Sequence, residues 1–343
     1  MKQSDFGTAR GTGELGLLGE IRRRAERLGG PGLRLGIGDD CALLTLRRGE
    51  ELAVTTDLSI AGGHFHLDWH PPEAVGHRAL ARGLSDLAAM GARPVAAFLS
   101  LGLPRSLTTA ASRSRVWVER FLDGLLALAE LHSTPLAGGD LAESPVAVAD
   151  IVLAGAVPRG RALLRSGAKA GDLLYVTGAL GGAAAGLARL GELADAQPGH
   201  PNPLRIPKKL EALLAPHLYP QPRIAQGLWL QRRGLASAAL DLSDGLSTDL
   251  AHLCEESGVA AEVDAGRLPL GLGATLAQAL DGGEDYELLF AAPSAARLPR
   301  AIAGVPVTRI GRVKRARAGR PAVTLLTEQG AQTLEAGGWE HFR

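Results

Sequence analysis

Leu15, Leu18, Ile21, Ala25 and Leu28 fall at helical spacing, which predicts an amphipathic helix over residues 14–28. The run Gly29-Gly30-Pro31-Gly32 stops it. Residues 42–46 and 51–56 read as strands flanked by polar loops. Pro71 and Pro72 open a second helix, 72–90, with Val75, Ala79, Leu84, Leu87 and Ala88 on its apolar side. A strand at 94–102 follows. A long helix at 108–132 comes next, with Val116, Leu122, Leu125, Leu126 and Ala129 inward, before strands at 134–137 and 146–157. The Arg-, Lys- and Gly-rich stretch 158–171 predicts a boundary, giving domains 1–160 and 161–343. Beyond it lie a strand at 172–177, a Gly/Ala helix at 181–191 and a proline-rich loop at 196–208. A helix at 223–233, a strand at 236–241, a helix at 245–257 and strands at 259–264, 286–291 and 306–313 complete the pattern. Long helices between strands predict an α/β (mixed α+β) protein of two domains rather than a bundle. The first is expected to be a mixed sheet with helices on one face, and the second an α/β domain.

Composition narrows the picture. At 343 residues, length favours two domains. Hydrophobic residues make up 46% of the chain but aromatics only 4%, so Leu, Val and Ala must fill the cores. With 37 basic and 36 acidic residues the net charge is +1, which leaves no electrostatic footprint for nucleic acid or an anionic membrane. Cys41 and Cys254 form no C-x-x-C pair, and a reducing, cytoplasmic setting is expected. No signal-peptide pattern opens the chain, and no apolar run reaches the roughly 18–20 residues of a membrane span.

Three motifs lead nowhere. Gly11-Thr-Gly-Glu-Leu-Gly16 matches G-x-G-x-x-G, yet no strand precedes it, so a loop entering a helix is the expectation. No Gly-Lys dipeptide exists, which excludes a P-loop. His64, His66 and His70 share a loop without cysteine, a poor zinc pattern. The aspartates are more informative. Gly36-Ile-Gly-Asp-Asp40, Thr55-Thr-Asp57, Ser85-Asp86, Gly138-Gly-Asp140, Asp241-Leu-Ser-Asp-Gly245 and Gly282-Gly-Glu-Asp285 place carboxylates on Gly-, Ser- and Thr-rich turns or strand ends, with Ser85-Asp86 mid-helix. Singly, each reads as a turn former or helix cap. Together they suit Mg2+, which takes hard oxygen ligands and substrate phosphates. If they converge, they need cations, because unscreened carboxylates repel.

In order along the chain, these segments resemble the thiamine-monophosphate kinase family, within the superfamily of aminoimidazole ribonucleotide synthetase and selenophosphate synthetase. Leu84-Ser-Asp-Leu-Ala-Ala-Met-Gly-Ala92 is the most specific match. Ala61-Gly-Gly-His-Phe65, Arg161-Ala-Leu-Leu-Arg-Ser-Gly167, Val176-Thr-Gly178 and Gly338-Trp-Glu-His-Phe342 extend it. The resemblance implies ATP-dependent phosphorylation of thiamine monophosphate to thiamine diphosphate, several Mg2+ ions, and a homodimer joined through the N-terminal domains. It implies Mg2+ ligands at Asp40, Thr55, Thr56, Asp57, Asp86, Asp140, Asp241 and Asp244. It implies ATP contacts at Gly139, Asp140, Arg165 and Ser243, and thiamine contacts at His64, Glu284 and Trp339. Asp57, Asp244 and Arg165 would carry the catalysis. Two positions depart from the family pattern. Gly83 stands where the family has Asn, and Leu141-Ala-Glu-Ser144 replaces Thr-Thr-Arg-Gly, losing an arginine and adding Glu143 beside the expected nucleotide. A related ATP enzyme acting on an amide-type substrate, or a degenerate nucleotide-binding module, are the alternatives. Selenophosphate synthesis expects a cysteine on the N-terminal loop, which residues 1–35 lack, and the hydrogenase-maturation relative expects one near the C-terminus, where His341-Phe342-Arg343 stands.

Overall fold

The computed structural model describes residues 14–108, 112–197, 204–319 and 322–340. A short pair, β1 (Leu33–Leu35) and β2 (Leu43–Leu44), precedes a four-stranded mixed sheet. That sheet holds β3 (Glu50–Ile60), β4 (Arg93–Leu103), β5 (Leu136–Glu143) and β6 (Val148–Pro158) in the order β3-β6-β4-β5. Only β4 and β5 run parallel within it. Its helices are α1 (Glu14–Ala25), α2 (Pro72–Ala89), the single turn α3 (Arg105–Thr108) and α4 (Ser112–Leu131).

An eight-stranded sheet follows, made of β7 (Leu173–Thr177), β8 (Ala238–Asp241), β9 (Val259–Asp264), β10 (Leu288–Ala292), β11 (Ala301–Ile302), β12 (Val305–Arg315), β13 (Val323–Thr327) and β14 (Gly330–Thr333). Its order is β14-β13-β9-β12-β7-β10-β8, with β11 on β12. Around it lie α5 (Gly182–Asp195), α6 (Glu211–Leu218), α7 (Ile224–Arg233), α8 (Leu246–Ser257) and α9 (Leu276–Asp281).

Helix α2 organises the molecule. Pro71 and Pro72 start it where a missing N–H is harmless. Nearly all of its residues are buried, so it reads as a core helix, apolar or small on most sides. Leu80, Leu84 and Leu87 are fully enclosed, each worth roughly 2 kcal/mol by transfer from water. A Cβ at Gly76 would collide with the Phe121 carbonyl, and one at Gly124 with the Glu73 carbonyl, so α2 and α4 meet backbone to backbone. On its other sides α2 packs against β3 and β6 of the first sheet and against α7 and β8 of the second half.

Several boundaries differ from the sequence pattern. Strand β3 continues through Asp57 to Ile60 instead of ending at 56. It turns Thr55, Asp57 and Ser59 inward and Leu52, Val54 and Leu58 outward, so its polar face looks into the protein. Gly139 and Asp140 lie within β5 rather than after a strand, and α1 stops at Ala25. Helices α6 and α9 and strands β13 and β14 were not foreseen. Residues 11–13 of the G-x-G-x-x-G match lie outside the described residues, and its last three enter α1.

Candidate active site

A cleft of about 480 Å³ opens between α2 and β3 on one side and the loops after β8 and before β10 on the other. Asp57, Asp86, Asp241, Ser243, Asp244, His64, Glu284 and Trp339 all line it. Asp86 accepts a hydrogen bond from the Thr55 hydroxyl. One residue earlier on α2, Ser85 donates to Asp241 Oδ2 at 2.6 Å, joining the helix to the end of β8. Burial pushes all three carboxyls up. Asp57 rises to about 6 with Asp86 adding and Arg82 opposing. Asp86 is raised despite the Thr55 hydrogen bond. Asp241 is raised by burial and then by the charge of Asp86, with Asp249 and Asp57 adding to it. These carboxylates converge and repel.

The loop Asp241-Leu-Ser-Asp-Gly245 is held by Asp249, whose Oδ2 accepts the N–H groups of Ser243, Asp244 and Gly245, each at 3.1 Å. The segment 282–287 is laced onto it, with the Glu284 N–H on the Ser243 carbonyl at 2.7 Å and the Tyr286 N–H on the Leu242 carbonyl at 2.9 Å. Glu284 and Tyr286 both sit at positive φ, 55° and 50°, a strained backbone that recurs at functional loops. Trp339 docks through its backbone N–H on the Asp244 carbonyl at 3.0 Å and keeps 59% of its surface exposed.

The opposite end is aromatic and basic. His66 stacks on Trp69 with ring centroids 4.1 Å apart. Arg78 donates twice from Nη2 to the Glu284 carboxylate, at 2.6 and 2.7 Å, and its Nη1 lies 2.7 Å from His217 Nε2. His70 and His217 face each other at 3.0 Å. Burial and the Arg78 charge pull His70 down to about 3 and His217 well below the usual histidine range, so both are neutral near pH 7. His64 Nδ1 accepts the Ile60 N–H at 3.2 Å. The His66 N–H in turn donates to His70 Nδ1 at 3.1 Å.

Not every expected ligand meets in the cleft. Thr56 faces the other side of β3 and donates to Asp150 at 3.2 Å. Asp140 pairs with Ser100, and Ser100 with Asp150, so Asp140 shares that outer face roughly 10 Å away, across two strand spacings. Gly139 stands at φ 151°, and a Cβ there would strike the Leu99 carbonyl. The loop carrying Asp40 runs beside Ala137 of β5, and Asp40 is exposed. Arg165 is exposed, and its charge lowers the proton affinity of Asp86. Residues 141–143 fall in β5 rather than a loop, and Glu143 pairs with Arg105 of α3 at 3.5 Å. At Gly83 a side chain would meet the Leu153 Cδ1 methyl, so a larger residue there needs Leu153 to turn aside.

Pattern reading overlooked Arg78, Arg82, Tyr286, His217 and Asp249. For the arginines a signal existed: Arg78, Arg82 and Asp86 recur every four residues on one side of a helix that is otherwise buried.

Among the described residues no three His, Cys, Asp or Glu side chains close into a preformed metal cage. The donors are hard oxygens in an open array. That fits Mg2+, which keeps waters and substrate phosphates and takes only one or two carboxylates.

Residues 38–157 match the family described as AIR synthase related protein, N-terminal domain, and residues 169–323 match the corresponding C-terminal domain. A thiamine-monophosphate kinase of Salmonella typhimurium is 40% identical, covering 96% of this chain and 98% of the relative. The crystal structure of a thiamine-monophosphate kinase from Stenotrophomonas maltophilia superposes with a TM-score of 0.76 at 38% identity, covering 90% of this chain and 95% of that one. A structure of AaThiL complexed with AMPPCP and TMP gives a TM-score of 0.72 at 30% identity, covering 99% of this chain and 100% of that one.

Proposed function

Because this chain belongs to the thiamine-monophosphate kinase family, we propose that it phosphorylates thiamine monophosphate to thiamine diphosphate at the expense of ATP. The observation that carries the reading is a single cleft lined by Asp57, Asp86, Asp241 and Asp244 together with His64, Glu284 and Trp339. The AMPPCP and TMP of the AaThiL complex are ligands of the matching classes.

Mg2+ bound to the carboxylates would neutralise the phosphates and polarise the transferring group. Asp57, Asp86, Asp241 and Asp244 would share several such ions within the cleft, with Thr55 fixing Asp86 and Asp249 fixing the Asp244 loop. Asp40 and Asp140 would offer oxygens to a further cation outside the cleft, and Thr56, on β3 about three strand spacings from Asp140 on β5, would serve a different one. Gly139 leaves room for close backbone approach, and Arg165 and Ser243 would face the nucleotide. Trp339 presents an indole face to a cationic heterocycle. The acceptor is an anionic phosphate monoester, so it needs no strong general base. The protein's task is to align two anions and screen their repulsion. Transfer is direct, without a phosphoenzyme.

Division into domains 1–160 and 161–343 is supported by the two sheets, one within residues 50–158 and the other within 173–333. A homodimer is supported by Leu52, Val54 and Leu58, exposed in a row on the outer face of edge strand β3. A cytoplasmic location is supported by two free cysteines, Cys41 and Cys254, and no helix among the described residues is long and apolar enough to cross a membrane. Incubation with Mg-ATP and either thiamine monophosphate, thiamine or formylglycinamidine ribonucleotide, with products identified by mass, tests the activity. Thiamine diphosphate and ADP are expected with the first substrate only. ADP formed only with the amide substrate would overturn the reading.

A further inference from the structure

Helix α2 carries three charged side chains at four-residue intervals, and two of them are already engaged. Arg78 is bound by Glu284, His70 and His217, and Asp86 by Thr55. Arg82 lies between them, 18% exposed in the cleft wall, and is held only loosely, by a wide ion pair to Asp57. Its Nε is buried without a hydrogen-bond partner, 3.4 Å from Asp57 Oδ1. Its Nη1 makes only a long 3.5 Å contact with Ser59 Oγ. A guanidinium has five donors in a planar fork, and leaving them unused in a buried place is costly. If Arg82 served only to neutralise Asp57, a paired geometry at about 2.8 Å would be expected. A cation taken up by Asp57 would also release the arginine from that carboxylate.

Position along the helix indicates what the fork receives. Asp86 faces Thr55, and one turn earlier Arg82 faces Asp57 and Ser59. Strand β3 then runs on to Ile60, whose N–H meets His64. Tyr286 and Glu284 lie within the electrostatic reach of Arg82. The guanidinium thus stands beside the acidic cluster, on the stretch of β3 that leads to His64, and faces Glu284 and Tyr286 across the cleft. We propose that Arg82 binds the phosphate of the acceptor monoester, holding two of its oxygens while a third faces the γ-phosphate. In the transfer a bond forms between that third oxygen and the γ-phosphorus as the bond to the β-bridging oxygen breaks, leaving ADP. No proton need move through Arg82. The assignment rests on the phosphotransfer reading above.

The test is isothermal calorimetry on the full chain with Mg2+ and a non-hydrolysable ATP analogue, comparing thiamine monophosphate with unphosphorylated thiamine. Arg82→Met is expected to weaken thiamine monophosphate by about 10- to 100-fold while thiamine stays within about twofold. The KM for ATP stays within about twofold, and Arg82→Lys restores part of the loss. Equal loss of both thiamine compounds, unchanged affinity for the monophosphate, or a rise confined to ATP would each overturn the assignment. If Arg82→Met does not fold, Arg82→Lys against wild type carries the same comparison, with a smaller loss expected for the monophosphate alone. Wild-type turnover is measured alongside. No thiamine diphosphate from wild type defeats the activity itself, whereas normal wild-type turnover with an unselective Arg82 variant defeats only the role of Arg82.

Discussion

The carboxylate end of the cleft and its histidine end are both buried and both ionisable, but they are balanced differently. Around Arg78 the charges close on themselves. One guanidinium meets the Glu284 carboxylate twice, and two neutral histidines complete its surroundings. Around Asp57 they do not close. Three carboxylates share the weak counter-charge of Arg82 and the hydroxyls of Thr55 and Ser85. The first arrangement is largely paired within the protein, although His217 Nδ1 is left without a hydrogen bond. The second is incomplete until cations or phosphates arrive, and that incompleteness is what a ligand can exploit.

The contrast can be broken most sharply at the acidic end. Asp57→Asn and Asp244→Asn should each lower kcat by about 1,000-fold or more with the circular-dichroism spectrum unchanged. Near-normal kcat at saturating Mg2+ in both would remove these residues from the metal set. At the other end the effect should fall on stability. Arg78→Met strands Glu284 beside buried histidines and should cost about 3 kcal/mol in urea denaturation. A midpoint equal to wild type would show that the pair is not structural. Trp339→Ala should raise the KM for thiamine monophosphate about 10-fold and leave kcat nearly unchanged, because it removes a stacking face for the thiamine ring and no ligand of the phosphates. A fall in kcat alone would place the indole elsewhere.

The smallest effect concerns pH. The Asp57 carboxyl is raised from 3.8 to about 6, so its protonation favours the folded, metal-free chain. That contribution is complete below the free carboxyl value and is lost as pH rises through about 6. Mg2+ requires the deprotonated form. Millimolar Mg2+ should therefore raise Tm by a few degrees at pH 8 and by less at pH 5. Equal shifts at both pH values, read by differential scanning fluorimetry, would argue that the ion binds away from these carboxylates.

Much of this site could be read from residue order. The Asp241-Leu-Ser-Asp-Gly245 turn follows a strand and opens a helix, as its sequence suggests, because glycine and a short acidic side chain suit that junction. Asp57 was misplaced at a strand end for a physical reason. A polar residue inside a strand looks like its terminus unless the face it occupies is known to be a cleft. Arg78 and Arg82 were hidden in the same way, since charges on a helix are ordinarily assigned to solvent. His70 and His217 are 147 residues apart, and no local pattern joins them. Asp249 was invisible because its role lies in folding back over the three N–H groups that precede it.

Helix α2 is clad by both halves of the chain, and this ties the chemistry to the cooperativity of folding. Ala74 packs with Leu190, Leu204, Leu214 and Leu218 from the second half, while Leu80, Leu84 and Leu87 belong to the large core that also holds Leu230 and Phe290. A chain severed between β6 and β7 would strip α2 of part of its cover and take Ser85 away from Asp241 at the same stroke. The amides of α2 should accordingly be among the slowest in the molecule to exchange with deuterium, and the acidic cluster should vanish in the same opening event that releases them.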